Sequence, residues 1–380
     1  MNFELTEDQK LLADSVRRMI ERHYDFDARR KIIASAEGFS AEVWSTLAEL
    51  GLLGLAVRED NGGFGGGAND LVPVMEAIGE GLLVEPFADT VATARLVERA
   101  GNAAQRAAVL PAVVDGSARL ALAWAERASR YDLEGIATRA RRDGGGWVLD
   151  GEKVAVAGAP LAGRIVVTAR TAGEPGERAG VALFLLDPGT AGVTINSYRA
   201  QDSTRAADIR LAGVRLAPDA LLGAEGEGLA ALEEAVDFAC ALTCAEAVGA
   251  MQSACEATLE YLKTRQQFGV PIGTFQALQH RIVDMYISTE QARSIAYLAC
   301  ARVDGAASAG ERSRTVAAAR VKISDAARHV GQESIQLHGG MGMTDEMKVS
   351  HTFKRLTTIS QAFGDADHWL GRFAATETAA

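Results

Sequence analysis

The chain is predicted to be mainly α with a β middle domain, because its apolar pattern changes period twice. Up to about residue 115, apolar residues recur every three or four positions. From about 118 to 225, short apolar runs alternate with Gly, Asp and Pro, which is strand-and-turn spacing. From Gly228 onward the helical period returns and holds. Three domains are therefore expected: helical over 1–117, β over 118–225 and a helical bundle over 226–380.

In the first block, Leu11, Val16, Met19 and Ile20 mark one helix face, and Val43, Trp44, Leu47 and Leu50 another. Asn61-Gly62-Gly63-Phe64-Gly65-Gly66-Gly67 interrupts them as a mobile, turn-forming loop before a helix resumes from Leu71 to Leu83. No strand precedes this glycine run and no Lys-Ser/Thr follows it, so it reads as a turn and not as a phosphate cradle. In the middle block, Trp147-Val148-Leu149, Arg164-Ile165-Val166-Val167-Thr168 and Val181-Ala182-Leu183-Phe184-Leu185-Leu186 read as strands. Asp150-Gly151 carries a hairpin signal between Trp147-Val148-Leu149 and Lys153-Val154. In the last block, Leu229, Leu232, Val236, Ala239, Thr243, Ala247 and Ala250 form a stripe along a long helix. Further helices are expected over about 275–303, 312–337 and 348–373.

Composition narrows the function classes. With 39 Lys and Arg against 50 Asp and Glu, the net charge of -11 argues against a nucleic-acid partner, which needs clustered cations. No run of 18 apolar residues suggests a membrane span. The start, Met1-Asn2-Phe3-Glu4-Leu5-Thr6-Glu7-Asp8, is acidic and lacks the basic and apolar regions of a leader peptide. Cys240, Cys244, Cys255 and Cys300 lack metal-ligand spacing and read as reduced core cysteines of a cytoplasmic protein, and no metal site is expected.

Two C-terminal stretches carry the most information: Arg265-Gln266-Gln267-Phe268-Gly269-Val270-Pro271-Ile272 with Gln276, and Gln336-Leu337-His338-Gly339-Gly340-Met341-Gly342. They resemble the FAD and dimer-interface elements of acyl-CoA dehydrogenases. Trp44-x-x-Leu47-x-x-Leu50-Gly51-Leu52, Gly62-Gly63-Phe64-Gly65, Glu76-x-x-Gly79 and Gly223-x-Glu225-Gly226-x-Gly228 are similar to the same family's pattern, so the resemblance covers nearly the whole chain. It implies an N-terminal helical domain, a middle β-barrel and a C-terminal four-helix bundle. It also implies FAD as cofactor, an acyl-CoA as substrate, and Arg265, Gln267, Phe268, Gln276, Gln336, Gly339 and Gly340 as cofactor-binding residues. A guanidinium bonds phosphate oxygens in bidentate fashion, and glycines let backbone N–H groups approach a phosphate or ribose.

The chain departs from the family at the places that carry its chemistry. Where the family has a Thr-Glu-Pro-x-x-Gly-Ser-Asp-like segment against the flavin ring, this sequence has Trp124-Ala125-Glu126-Arg127-Ala128-Ser129. Where it has Lys-x-Trp-Ile-Thr, this sequence has Lys153-Val154-Ala155-Val156-Ala157. An aromatic face and two hydroxyls are lost. α-Proton abstraction needs a carboxylate, and its two family positions match Phe363 and Ala239. Glu246 and Asp365 remain as candidate relocated bases, although a buried structural role for Glu246 and helix capping for Asp365 are the preferred readings. His368 reads as a surface or interface histidine.

The segment Phe353-Lys354-Arg355-Leu356-Thr357 with Phe363-Gly364-Asp365-Ala366-Asp367-His368 resembles small subunits of pimeloyl-CoA-dehydrogenase-type and steroid-side-chain heteromeric enzymes. The resemblance implies a base-lacking subunit that completes the FAD site of a larger partner in a heterodimer or heterotetramer. A homo-oligomeric dehydrogenase with a relocated carboxylate base is the first alternative. A scaffold or a flavin monooxygenase-like relative is the second.

Overall fold

The computed structural model describes residues 5–306 and 308–378. The first four residues of the acidic start, on which the leader expectation partly rests, lie outside the described residues. In chain order, α1 (Glu7–His23), α2 (Phe26–Ala34), α3 (Ala41–Glu49), α4 (Ala68–Gly81), α5 (Phe87–Ala100) and α6 (Ala103–Val114) come first. They are followed by β1 (Leu120–Ala123), β2 (Arg139–Asp143), β3 (Gly146–Ala157), β4 (Arg164–Arg170), β5 (Val181–Leu186), β6 (Val193–Arg199), β7 (Arg205–Leu216) and β8 (Leu221–Leu222). Then come α7 (Leu229–Thr264), β9 (Gln266–Gln267), β10 (Val270–Pro271), α8 (Gln276–Gly305), α9 (Ala309–His338), α10 (Lys348–Gln361) and α11 (Ala366–Thr378). Helical, β and helical segments thus follow one another as the apolar periods indicate.

By packing, the chain forms two compact units. One holds the residues through Lys31, Ala68–Leu83 and Cys240–Ala380; the other holds Ile32–Gly67 and Val84–Ala239. The expected boundaries at 117/118 and 225/226 fall in the connections between α6 and β1 and between β8 and α7.

The second unit is built on an eight-stranded sheet of order β6-β7-β3-β2-β4-β5-β8, with β1 pairing β4 in parallel. The ladder runs from β6 to β8, and no hydrogen-bonded pairing among the described residues joins those two strands. One face buries Trp147, Leu149, Val156, Ile165, Val167, Phe184, Leu186, Ile209 and Val214 as a continuous apolar core. The rings of Trp147 and Phe184 meet edge to face at 5.2 Å.

The hairpin expected at Asp150-Gly151 is not there. β3 runs unbroken from Gly146 to Ala157, and its register against β7 shifts between Leu149 and Gly151. The signal marks a β-bulge, in which Asp150 of β3 stands opposite two residues of β7, Ala212 and Gly213. Gly151 is required there, since a Cβ would lie 2.5 Å from the Thr138 hydroxyl. The turn that reverses the chain is Gly144-Gly145, both at positive φ, between β2 and β3. The glycine run at 61–67 is a turn as expected, but it is stitched down and not free. Phe64, Gly65 and Gly66 donate backbone N–H groups to the carbonyls of Gly54, Val57 and Leu55.

In the first unit, α7 is buried on all sides over its central turns. It is the described helix whose composition and length match a membrane span, at mean hydropathy 1.2, yet 89% of that 18-residue window is buried within the protein. An all-round apolar helix suits a core position. It crosses α4 backbone to backbone: a Cβ on Gly79 would lie 2.0 Å from the Glu246 carbonyl, and one on Gly249 1.9 Å from that of Glu76.

The single helix expected over 348–373 is two. α10 ends at Gln361 and α11 begins at Ala366. Phe363 at φ 60° and Gly364 at φ 138° leave the helical region between them. Buried Arg320 takes up the freed carbonyls of Ile359 and Ala362 at 2.7 and 2.6 Å. The Asp365 carboxylate then caps α11 by accepting from the His368 N–H at 2.9 Å.

Candidate functional site

The first motif folds as the exit from α7. Arg265 closes the helix, its N–H bonding the Tyr261 carbonyl at 2.8 Å, and the chain turns through β9 and β10. The two-residue loop is Phe268-Gly269, at φ 55° and 81°. Positive φ at both central positions is the tight hairpin geometry whose twist matches the strands. Glycine supplies one of them freely, while Phe268 holds it with a ring that is 90% exposed. The Ile272 N–H returns to the Arg265 carbonyl at 2.8 Å, and Gln276 opens α8. Arg265, Gln267, Phe268 and Gln276 are therefore exposed side chains around one reversal.

The second motif is the end of α9. Gln336 is exposed, and Gly339 leaves the helix at φ 60°. Around both Gly339 and Gly340 a Cβ would meet nothing within 4 Å, so their backbone faces open space. By contrast, Gly342 packs against the Ile335 carbonyl, 2.7 Å from where its Cβ would be. The rings of Tyr261 and His338 stack at 4.5 Å, which joins the α7 exit to the α9 end and brings the two motifs together. The His338 Nδ1 lies 2.8 Å from the Ser334 carbonyl, which can only accept, so Nδ1 carries the hydrogen. Burial holds this imidazole below its ordinary pKa, against the backbone bond, which favours the charged form. An exposed apolar face lies on these same elements, with Val283, Tyr286 and Ile287 at helical spacing on α8 and Met341 and Met343 after the glycines.

The positions matching the flavin-ring segments lie in the β unit. Ala155 and Ala157 are exposed methyl groups and Ala125 is half-buried. The backbone that carries them is tightly held. The Val154 N–H donates to the Ala125 carbonyl at 2.9 Å, and Ala155, at φ 52°, donates to the Asp208 carboxylate at 3.0 Å. Beneath them Lys153 pairs with Glu126 at 2.6 Å and donates to the Thr168 hydroxyl at 2.8 Å. Burial pushes Lys153 down to about 8 against the pull of Glu126. Burial also raises Glu126, but Lys153 and Thr138 outweigh it and hold the carboxyl below its usual range. The backbone of the segment is thus held from beneath, and the side chains it presents at 125, 155 and 157 are methyl groups.

Both candidate bases have partners of their own. Both oxygens of Glu246 accept from Arg355, at 2.6 and 2.8 Å, and its side chain is 2% exposed. Asp365 is committed to capping α11. Ala239 is buried and Phe363 half-buried. Among the described residues, no group of three His, Cys, Asp or Glu is placed to hold a metal ion.

Sequence reasoning missed four residues here: Lys153, Tyr261, Arg320 and Arg355. Each acts through a partner between 27 and 109 positions away or on another helix, and no local pattern announces such a pair.

Comparison with known proteins agrees over the whole length. Residues 6–117 match the acyl-CoA dehydrogenase N-terminal domain, 121–214 its middle domain and 226–372 its C-terminal domain. The L-prolyl-[peptidyl-carrier protein] dehydrogenase of Serratia sp. is 30% identical over 355 residues, 91% of this chain and 90% of that protein. The chain belongs to the acyl-CoA dehydrogenase family. Among solved members, a Tcur3481–Tcur3483 steroid ACAD variant is 30% identical at a TM-score of 0.88, covering 98% of both chains. The ChsE4–ChsE5 complex from Mycobacterium tuberculosis is 25% identical at 0.90, covering 100% of both chains. An FAD complex of PigA is 27% identical at 0.91, covering 100% of this chain and 99% of that one. As a member of this acyl-CoA dehydrogenase family, the chain is an FAD-dependent oxidoreductase by lineage.

Proposed function

We propose that the chain is the base-lacking subunit of a heteromeric acyl-CoA dehydrogenase and completes a partner's FAD site. The observation that carries the reading is the state of the carboxylates. Glu246, the best relocated base, spends both oxygens on Arg355, while the two family positions hold Ala239 and Phe363. A general base must reach the proton it takes, and a carboxylate locked to a guanidinium in the core does not.

The nucleotide end of FAD fits what this chain retains. Arg265 would meet its pyrophosphate, Gln267, Phe268, Gln276 and Gln336 would flank it, and Gly339 and Gly340 have open space for a close backbone approach. The ring end does not fit, because Ala125, Ala155 and Ala157 offer neither an aromatic face nor a hydroxyl. When bound, FAD supplies the two-electron acceptor, and the partner would supply the base, the ring pocket and most of the acyl-CoA contacts. The exposed apolar face on α8 and beside Met341 and Met343 is where such a partner would sit. A two-component assembly is in keeping with the ChsE4–ChsE5 neighbour. A cytoplasmic location goes with the same reading.

The test is the visible spectrum and native mass of the chain purified alone, then co-expressed with a candidate larger subunit. Colourless protein that gains flavin and turnover only in the mixed complex is expected. One FAD per chain, bleached by an acyl-CoA in the isolated protein, would overturn the proposal.

A further inference from the structure

The turn that carries Gly339 and Gly340 is pinned at both ends by a buried histidine. His338 holds the α9 end through the Tyr261 stack and the Ser334 carbonyl. At the other end His351, in the first turn of α10 and 6% exposed, reaches in two directions. Its Nε2 lies 3.0 Å from the Asp345 carbonyl, which can only accept, so Nε2 bears the hydrogen. Its Nδ1 lies 2.9 Å from Nη1 of Arg29, which can only donate, so Nδ1 is a bare acceptor. Both bonds can be made at once only by the neutral ring in one tautomer. Arg29, 2% exposed, also donates from Nε to the Leu82 carbonyl at 2.7 Å. Leu82 is the left-handed residue that ends α4, at φ 56°.

We infer that His351 and Arg29 are positioning residues for the 339–347 turn: the neutral imidazole ties the Asp345 carbonyl to the Arg29 guanidinium, and protonating the ring undoes the tie. A proton on Nδ1 would point an N–H at the guanidinium and set two cations side by side. The surrounding charges make that unfavourable. Arg29 on α2 and Lys354 on α10 oppose a positive ring, while Asp345 favours it but is itself held by Lys354 at 2.5 Å and sees Arg30. Phe26 closes the fourth side with its ring edge at 5.1 Å. Burial, then these cations, hold His351 below its ordinary value of 6.5 despite the bond to Asp345. Beside Asp345, Thr344 folds back onto the Met341 carbonyl through both its N–H and its hydroxyl, which links the His351 contact to the residues after the glycines. The cofactor consequence rests on the reading above: if Gly339 and Gly340 contact FAD, acid loosens that contact through His351.

Two measurements on the full-length protein separate these statements. Hydrogen exchange of the 339–347 amides is followed from pH 7.5 to 5.5, corrected for intrinsic rates, in the parent and in His351→Gln, whose amide offers one acceptor and one donor without titrating. Protection in the parent is expected to fall by up to about tenfold per pH unit for each ring between its ordinary value and its lower folded value, and to fall less steeply in the variant, where only His338 still titrates. A flat profile in the parent, or the same slope in both proteins, would overturn the inference. If the variant does not fold, the ring's own titration by NMR decides: a midpoint below 6.5 that rises in Arg29→Gln supports the tie, and one at or above 6.5 in the parent refutes it. His338 is the internal control, since its slope survives in His351→Gln. FAD retention by the co-purified complex is read in parallel. A turn that loosens while FAD stays bound keeps the positioning role and removes the cofactor assignment of the glycines.

Discussion

Arg355, itself only 18% exposed, reaches the buried Glu246 carboxylate with two charge-assisted bonds. Removing one partner strands the other charge, so Glu246→Ala or Arg355→Ala is expected to cost about 3–5 kcal/mol, read as a lowered midpoint in chemical denaturation. Glu246→Gln keeps the shape and separates structure from catalysis. In the active complex it is expected to keep turnover within about tenfold of the parent, whereas removing a general base costs about 100- to 10,000-fold. A loss of that larger size with flavin still bound would make Glu246 the base after all. Arg265 is the opposite kind of residue, with an exposed side chain at the exit from α7. If it meets the pyrophosphate, Arg265→Ala should weaken FAD retention by the complex by about 10- to 100-fold, the worth of a charge-assisted bond, without moving the denaturation midpoint.

At the scale of elements, the α4–α7 crossing is set by two glycines that bring backbone onto backbone. Gly249→Ala would force a methyl to within 1.9 Å of the Glu76 carbonyl, so the helices must part. A destabilisation of about 1–3 kcal/mol is expected, with the far-ultraviolet signal of the folded state unchanged. Helix junctions also set the acid limit of the first unit. His338 and His351 are both held below the ordinary histidine value in the folded chain, burial being the larger cause for each. Between the folded and unfolded values the unfolded chain binds more protons. Their contribution to stability is therefore present above about pH 6.5 and is lost as the pH falls, by at most about 1.4 kcal/mol per unit for each ring. Thermal midpoints across pH 7.5 to 5 check this, and His351→Gln should remove part of the slope.

At the scale of the molecule, the chain has the fold of the acyl-CoA dehydrogenase family, and the proposed function divides its FAD contacts between retained nucleotide-side motifs and ring-side positions that carry only methyl groups. The division predicts a partner-dependent protein. Alone it should be colourless, with the apolar residues Val283, Tyr286, Ile287 and Met343 exposed to solvent. Co-expression with the right larger subunit should bring flavin and turnover together. Tyr286→Glu, placing a charge in the middle of that face, is expected to abolish complex formation in native mass measurements while the isolated chain stays folded.

The order of helical, β and helical segments was legible in the sequence because hydrophobic period is a local property, and α7, β4 and β5 lie where their runs lie. The family was legible too, because its motifs are spread along the whole chain and the matches to its three domains follow the same order. Local signals failed where two backbone solutions share one signature. Asp150-Gly151 suits a hairpin and a bulge equally, and pairing with β7 selected the bulge. The run 348–373 is helical on both sides of Phe363, and at the break Arg320, 42 residues away from Ala362, donates to the freed carbonyls. The sequence by itself determined which elements form and which chemical groups are absent. Only the tertiary structure decided that Glu246 belongs to Arg355, that Tyr261 and His338 join the two motifs, and that His351 is wired to Arg29, because pairing between distant residues is a property of the packed chain.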